Sequence, residues 1–200
     1  MTVIPGEGRV PILYGNQAMA APPHHTGYLA RPDAVDRHPA VAITAGAEPT
    51  AGIRTLARHL ARYGYGAVVP PGSRVELTAA VDALGGAWSE WSHPDRRAVV
   101  GVGLGAEWAI GVAGERRLPL VLIVPSPTPS QLPGSVPVLV VGTDSAPGSG
   151  VPSGHWVTYR GIGTGVWDDA SPDYSVAPAT DCLARLVGFL DRHLGVAAAA

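Results

Sequence analysis

The sequence predicts an α/β fold in which a mostly parallel β-sheet carries helices on both faces. Strand-length apolar runs alternate with segments of helical periodicity along most of the chain. Some runs, such as Ala40–Ile43, are apolar at every position, which is typical of strands buried on both faces. The run Ala98–Val100 leads through the glycine-rich Gly101–Gly105 into a helical segment. Repeated strand–turn–helix units place parallel strands side by side, with the helices packed above and below them.

Each predicted strand or helix corresponds to an apolar run or to a helical spacing of apolar residues. The chain opens with two strands, Val10–Tyr14 and Thr26–Ala30, separated by Pro22–Pro23. After the strand Ala40–Ile43, apolar residues recur at helical spacing from Ile53 to Ala61. Further strands are predicted at Ala67–Val69, Arg97–Val102, Leu118–Val124, Val136–Val141 and Trp156–Tyr159. Further helices are predicted at Leu77–Trp88, Ala106–Ala113 and Ala179–Leu194.

Length and composition favour one compact domain over residues 1–200, with a disordered tail at 196–200. The chain is 46% hydrophobic and 15% charged, which is ordinary for a globular protein with a substantial core. Residues 1–16 lack the basic start and the apolar core of a signal peptide, and the longest apolar runs are only strand-length. We therefore expect a soluble, cytoplasmic protein that makes no membrane contact.

The charged residues and the single cysteine exclude several classes of function. The net charge is −2 and no basic stripe is present, so we expect no binding to nucleic acid. All 14 basic residues are arginine, which rules out lysine Schiff bases and a P-loop lysine. Cys182 is expected to be a buried, inert thiol in the last helix. We expect no metal, because no His/Cys/Asp cluster has ligand spacing, and no cofactor.

The order and spacing of several motifs resemble the dienelactone hydrolase family of α/β-hydrolases. The resemblance covers roughly Gly27 to Leu194 and implies an α/β-hydrolase fold with minimal or no cap. The segments that carry it are Gly27–Pro32, Leu56–Tyr65, Gly101–Gly105, Val136–Leu139, Gly163–Trp167, Pro172-x-Tyr174 and Phe189–Leu194. Members of the family hydrolyse carboxylic esters or lactones with a Cys-His-Asp triad.

The triad implied by this resemblance is degenerate. The nucleophile of the family lies between the glycines of the strand–turn–helix, and the matching residue is Gly103. The position that matches the histidine is Thr164. Asp144 matches the acid, although the family usually has one more residue before the aspartate. The two absent members are those that perform nucleophilic attack and proton transfer.

Other residues are candidates for a remaining pocket. The resemblance implies an oxyanion hole formed by the backbone N–H groups of Leu104 and Ala47. Glu48 is the best carboxylate for proton transfer, the alternative being an ordinary solvated glutamate. Ser126 stands at a strand end and is more suited to binding than to attack. Trp167 either packs in the core or forms an aromatic wall for a ligand.

The histidines are weak substitutes for the missing base. His155 begins a strand at its amino end, on the far edge of the sheet from Gly103. His24 and His25 lie in an early loop, where exposed side chains are the simpler interpretation. His59 and His193 are expected to face solvent.

These observations favour a non-hydrolytic pseudoenzyme that binds a small molecule or a partner. One alternative is proton-transfer chemistry of the isomerase, cyclase or lyase type, with Glu48 or Asp144 as acid and base. A second is residual ester or lactone hydrolysis by activated water. A third is an assembly module, such as a homodimer, without any ligand.

Overall fold

The structure, a computed structural model, describes residues 10–19, 26–124, 129, 131–142, 155–172 and 174–195. These residues form one eight-stranded sheet and four α-helices. The strands are β1 (Ile12–Ala18), β2 (Thr26–Pro32), β3 (His38–Thr44), β4 (Gly66–Val69), β5 (Ser92–Val102), β6 (Leu120–Ile123), β7 (Val138–Gly142) and β8 (His155–Thr158). The helices are α1 (Ala51–Arg62), α2 (Arg74–Gly85), α3 (Ala106–Arg116) and α4 (Val176–Leu194).

The sheet is mostly parallel, as the sequence predicts. Its strand order is β1-β2-β4-β3-β5-β6-β7-β8, with every pair from β4–β3 to β7–β8 parallel. The strands β1 and β2 add an antiparallel edge. The carboxyl ends of the six parallel strands therefore meet along one edge of the sheet, where ligands bind in open α/β folds.

Two apolar layers hold the helices against the sheet. One layer contains Leu56 and Leu60 of α1 with Leu186 and Leu190 of α4. The layer on the other face contains residues of α2 and α3, including Leu77. Strand residues alternate between the two layers: Val41 and Ile43 belong to the first, Ala40 and Ala42 to the second. The continuous apolar run of β3 therefore reflects burial on both faces.

Local chemistry explains where the first helices begin. Thr50 precedes α1, and its hydroxyl accepts a hydrogen bond from the N–H of Ile53 at 3.4 Å. Ser73 precedes α2, and its hydroxyl accepts a hydrogen bond from the N–H of Glu76 at 3.2 Å. The same hydroxyl donates to the Glu76 carboxylate at 2.9 Å. These short polar side chains satisfy N–H groups that a helix start leaves without partners.

Some predicted boundaries were wrong by a few residues, each for a local reason. The first strand begins at Ile12, beyond Pro11, and β7 begins at Val138, beyond Pro137, since proline has no N–H to donate. The helix α2 ends at Gly85 instead of reaching Trp88, whose ring stacks on Trp91 at 6.0 Å between centroids.

Other elements are longer than predicted. The strand β5 begins at Ser92 rather than Arg97, with an irregularity in its pairing to β3. The helix α4 begins at Val176 rather than Ala179, because Pro178 is tolerated in a first helical turn.

Among the residues that the structure describes, no helix is long and apolar enough to cross a lipid bilayer.

Candidate functional site at the carboxyl edge

A tight turn joins β5 to α3 at the carboxyl edge of the sheet. Gly103–Gly105 form a single 3-10 turn, and Gly103 is buried with a φ of +55°. A Cβ atom on Gly101 would lie 2.6 Å from the Cβ of Ala109 in α3. A Cβ atom on Gly105 would lie 2.4 Å from the carbonyl oxygen of Thr44 in β3. The outer two glycines therefore let the turn pack tightly on helix and sheet, while the central one adopts a left-handed conformation that favours glycine.

The turn meets Thr164 from the loop that follows β8. A Cβ atom on Gly103 would lie only 2.8 Å from the Cγ2 methyl of Thr164 and 3.9 Å from its Cβ. The structure thus brings together the two positions that the resemblance matches to nucleophile and base, 61 residues apart in the chain (164 − 103). The first atom of any side chain at position 103 would have to displace the threonine methyl.

The loop after β3 lies on the other side of the turn. Gly46 has a φ of +76°, and a Cβ atom there would lie 2.9 Å from the Cβ of Leu104. The N–H of Gly46 donates to the Thr44 hydroxyl at 3.4 Å, which fixes the start of this loop. Ala47 packs with its backbone against Gly72, where a Cβ atom would lie 2.6 Å from the Ala47 Cα. Ala47 and Leu104 thus belong to neighbouring backbone segments, and their N–H groups as an oxyanion hole remain a prediction.

Two side chains beside the turn, one apolar and one acidic, are exposed to solvent. The Leu104 side chain is 67% exposed, an unusual exposure for leucine at the centre of a candidate site. Glu48 is also exposed to solvent. An acid–base role needs a carboxylate held inside a pocket beside the reacting group, and this exposure weighs against Glu48 in that role.

The structure describes only some of the other candidates. The described residues do not include Ser126, Asp144, His24 or His25. His155 begins β8 at its amino end, opposite the edge that carries Gly103.

His59 and His193 are half-buried, so the expectation that they face solvent was wrong. The His193 ring packs against Phe189, one helical turn earlier on α4, with 4.6 Å between centroids, and Phe189 is itself buried in the core.

Trp167 lies in the core layer beneath α1 and α4, with 7% of its surface exposed. Its indole Nε1 is buried without a hydrogen-bond partner among the described residues. The next residue, Asp168, packs on α1 so closely that a Cβ atom on Gly52 would lie 3.0 Å from its Cβ. This contact holds the loop that carries Thr164 against the helix. Core packing is thus the observed role of Trp167, and a ligand wall remains untested.

Cys182 is fully buried, as the sequence predicts. Burial raises the pKa of its thiol to about 12, because an apolar environment disfavours the thiolate. In the part of the chain that the structure describes, no group of three or more histidine, cysteine or acidic residues could hold a metal ion.

A polar network on α4 was not predicted from the sequence. Arg185 Nε donates to Asp181 at 2.9 Å and to the hydroxyl of Tyr159 at 3.1 Å, while that hydroxyl donates to Asp181. Burial, followed by the hydrogen bond to Asp181, raises the pKa of Tyr159 to about 12. Aspartate four residues before arginine is the sequence signal for the ionic half of this network. Its third member follows β8, and only the tertiary structure brings it close.

The strand order and the helices on both faces of the mostly parallel sheet define an α/β fold. No family model matches the sequence, and no curated protein matches it. Among solved structures, the chain is similar to a protein of Klebsiella pneumoniae described provisionally as a dienelactone hydrolase. The TM-score is 0.71 at 16% sequence identity, and the match covers 91% of this chain and 99% of that one. The expected resemblance to dienelactone hydrolases is thus confirmed at the level of the fold.

Proposed function

We propose that this protein is a non-hydrolytic, dienelactone-hydrolase-like protein whose carboxyl edge binds a small molecule or a partner. The observation that carries this proposal is the contact between Gly103 and Thr164. The space in which a nucleophile would begin is taken by a methyl group, 2.8 Å from the position of a Cβ atom.

Covalent hydrolysis needs a nucleophile and a base within hydrogen-bond reach of each other. Glycine has no side chain, and a threonine hydroxyl cannot serve as a base near neutral pH. Thr164 could act as a nucleophile only beside a base, and its hydroxyl has no hydrogen-bond partner among the described residues. These features support the proposal that the protein has the strand–turn–helix of a hydrolase but does not catalyse covalent hydrolysis.

The alternatives differ in how the structure bears on them. Proton-transfer chemistry through Glu48 is disfavoured by the exposure of that carboxylate, and Asp144 lies outside the described residues. Residual hydrolysis by activated water requires a neutral-pH base, which none of the described residues at the turn supplies. An assembly role such as a homodimer remains a separate hypothesis, addressed by the solution mass of the protein.

The test measures turnover of p-nitrophenyl acetate and of a simple aromatic lactone by untagged protein. The variant Leu104→Glu places a charge on the exposed side chain beside the turn, and Val35→Glu is a matched control. Val35 is fully exposed in the loop between β2 and β3, at the opposite edge of the sheet. We expect all three proteins to show only the background rate. Turnover that Leu104→Glu abolishes and Val35→Glu preserves would overturn the proposal.

Native mass spectrometry of the same three proteins addresses binding. A small-molecule adduct that Val35→Glu retains and Leu104→Glu loses would locate the ligand at the carboxyl edge. If the wild-type protein carries no adduct and shows no turnover, a macromolecular partner becomes the favoured form of the proposal.

A further inference from the structure

A cavity lies between α4 and the strands β7 and β8. Its volume is about 340 Å³, within the range of small-molecule sites. The backbone carbonyl of Gly195, just after α4, accepts a hydrogen bond from Arg96 near the start of β5 at 3.3 Å. The carboxyl-terminal half of α4 therefore lies toward the amino edge of the sheet. The cavity is thus separate from the turn at Gly103, which lies at the carboxyl edge.

Two arginines on one face of α4 line the cavity. Arg185 and Arg192 are seven residues apart, which is two helical turns, or about 10 Å along the axis. Arg192 has no ion-pair or hydrogen-bond partner among the described residues. Arg185 is held in place through its Nε by Asp181 and Tyr159, and no described contact uses its two terminal nitrogens. The Arg192 guanidinium, without a partner among the described residues, and the oriented Arg185 guanidinium therefore flank the same space.

The space between the two arginines is open on the side of α4. A Cβ atom on Gly188 would meet no other atom within 4 Å, so this position of α4 faces empty space. Phe189, Leu139 and Val157 contribute apolar surface to the walls. Glycine inside a helix costs about 1 kcal/mol relative to alanine, and here it leaves the cavity unfilled.

We propose that this cavity binds a small organic anion with an apolar body. The anionic group pairs with Arg192, and the body extends over Gly188 against Phe189 and Val157 toward Arg185. Guanidinium groups form two parallel hydrogen bonds with carboxylate, sulfonate or phosphate oxygens. The apolar walls supply the burial that a fully hydrated inorganic anion cannot use.

The experiment is a fluorescence titration with anilinonaphthalene sulfonate, an aromatic anion of this class. Gly188→Leu fills the cavity with a residue of higher helix propensity, so the helix is retained. Arg192→Glu reverses the charge at the proposed anion contact. Arg37→Glu makes the same charge change on the exposed loop between β2 and β3, and Leu104→Glu alters the carboxyl edge.

We expect one saturable site whose affinity falls at least tenfold in Gly188→Leu and in Arg192→Glu. Arg37→Glu and Leu104→Glu should bind the probe like the wild-type protein. Equal affinity in all five proteins, or no saturable binding, would refute the proposal. Loss of binding in Leu104→Glu alone would also refute it, since the probe would then occupy the carboxyl edge.

A melting curve for each variant identifies those that do not fold. If Gly188→Leu does not fold, the comparison of Arg192→Glu with Arg37→Glu still decides the question.

Discussion

Replacing Gly103 by alanine tests the geometry on which the functional proposal depends. The change adds one carbon atom at a residue whose φ is +55° and whose nearest neighbour would be the Thr164 methyl at 2.8 Å. Ordinary contacts begin at 3.4 Å, so the methyl has to move. We therefore expect Gly103→Ala to lower the free energy of unfolding.

The magnitude follows from three effects. A left-handed conformation costs an L-residue about 1–2 kcal/mol. Turning the exposed Thr164 side chain away from its favoured rotamer costs about 1 kcal/mol. Replacing glycine restricts the unfolded chain, which offsets about 0.5 kcal/mol of this loss. The net destabilisation expected for Gly103→Ala is about 2 kcal/mol.

The steric part can be isolated with Thr164→Ser, which removes only the methyl that the new carbon atom would meet. Thr164 is exposed, so the single change should alter stability by less than about 0.5 kcal/mol. The double variant, Gly103→Ala with Thr164→Ser, should recover about 1 kcal/mol of the stability that Gly103→Ala loses. The cost of the left-handed backbone conformation at position 103 should remain. Urea unfolding of the four proteins, followed by circular dichroism, gives the coupling energy from a double-mutant cycle.

Two results would refute this reasoning. Gly103→Ala with wild-type stability would mean that the turn tolerates a side chain. If the free-energy changes of the two single variants add up to that of the double variant, Thr164 does not occupy the space of a side chain at position 103.

Three further predictions follow from buried contacts. Because burial raises the pKa of Cys182 to about 12, its thiol should not react with dithionitrobenzoate at about pH 8 until urea unfolds the protein; rapid reaction of the folded protein would contradict this. Gly105→Ala places a carbon atom 2.4 Å from a backbone oxygen of β3 and should cost about 3 kcal/mol in urea unfolding, whereas Gly134→Ala, with no atom within 4 Å, should be nearly neutral. Tyr65→Phe removes the hydroxyl that donates to Asp191 and should lower the free energy of unfolding in urea by about 1–3 kcal/mol; an unchanged midpoint would show that the bond contributes nothing.

Several elements follow from the sequence because their patterns report local requirements. The apolar positions of α1 repeat every three to four residues because one face of the helix is buried, and Thr50 supplies its cap. The uninterrupted apolar run of β3 predicts a strand between two layers. The strand β1 extends to Ala18 through polar residues that no pattern marks, because it pairs with β2 along its whole length.

The sequence by itself determined the strand–turn–helix with its glycines. It also determined that glycine and threonine stand at positions 103 and 164, which the resemblance matches to a nucleophile and a histidine. It could not show that these two residues touch, because they lie on separate connections that only the parallel stacking of β5 to β8 brings to one edge. It also gave no sign of the cavity at Gly188, since empty space depends on how a helix packs against neighbouring strands. The chemical groups at each position can be read directly from the sequence. Contacts between distant residues and the volume of a cavity exist only once separate segments of the chain have packed together.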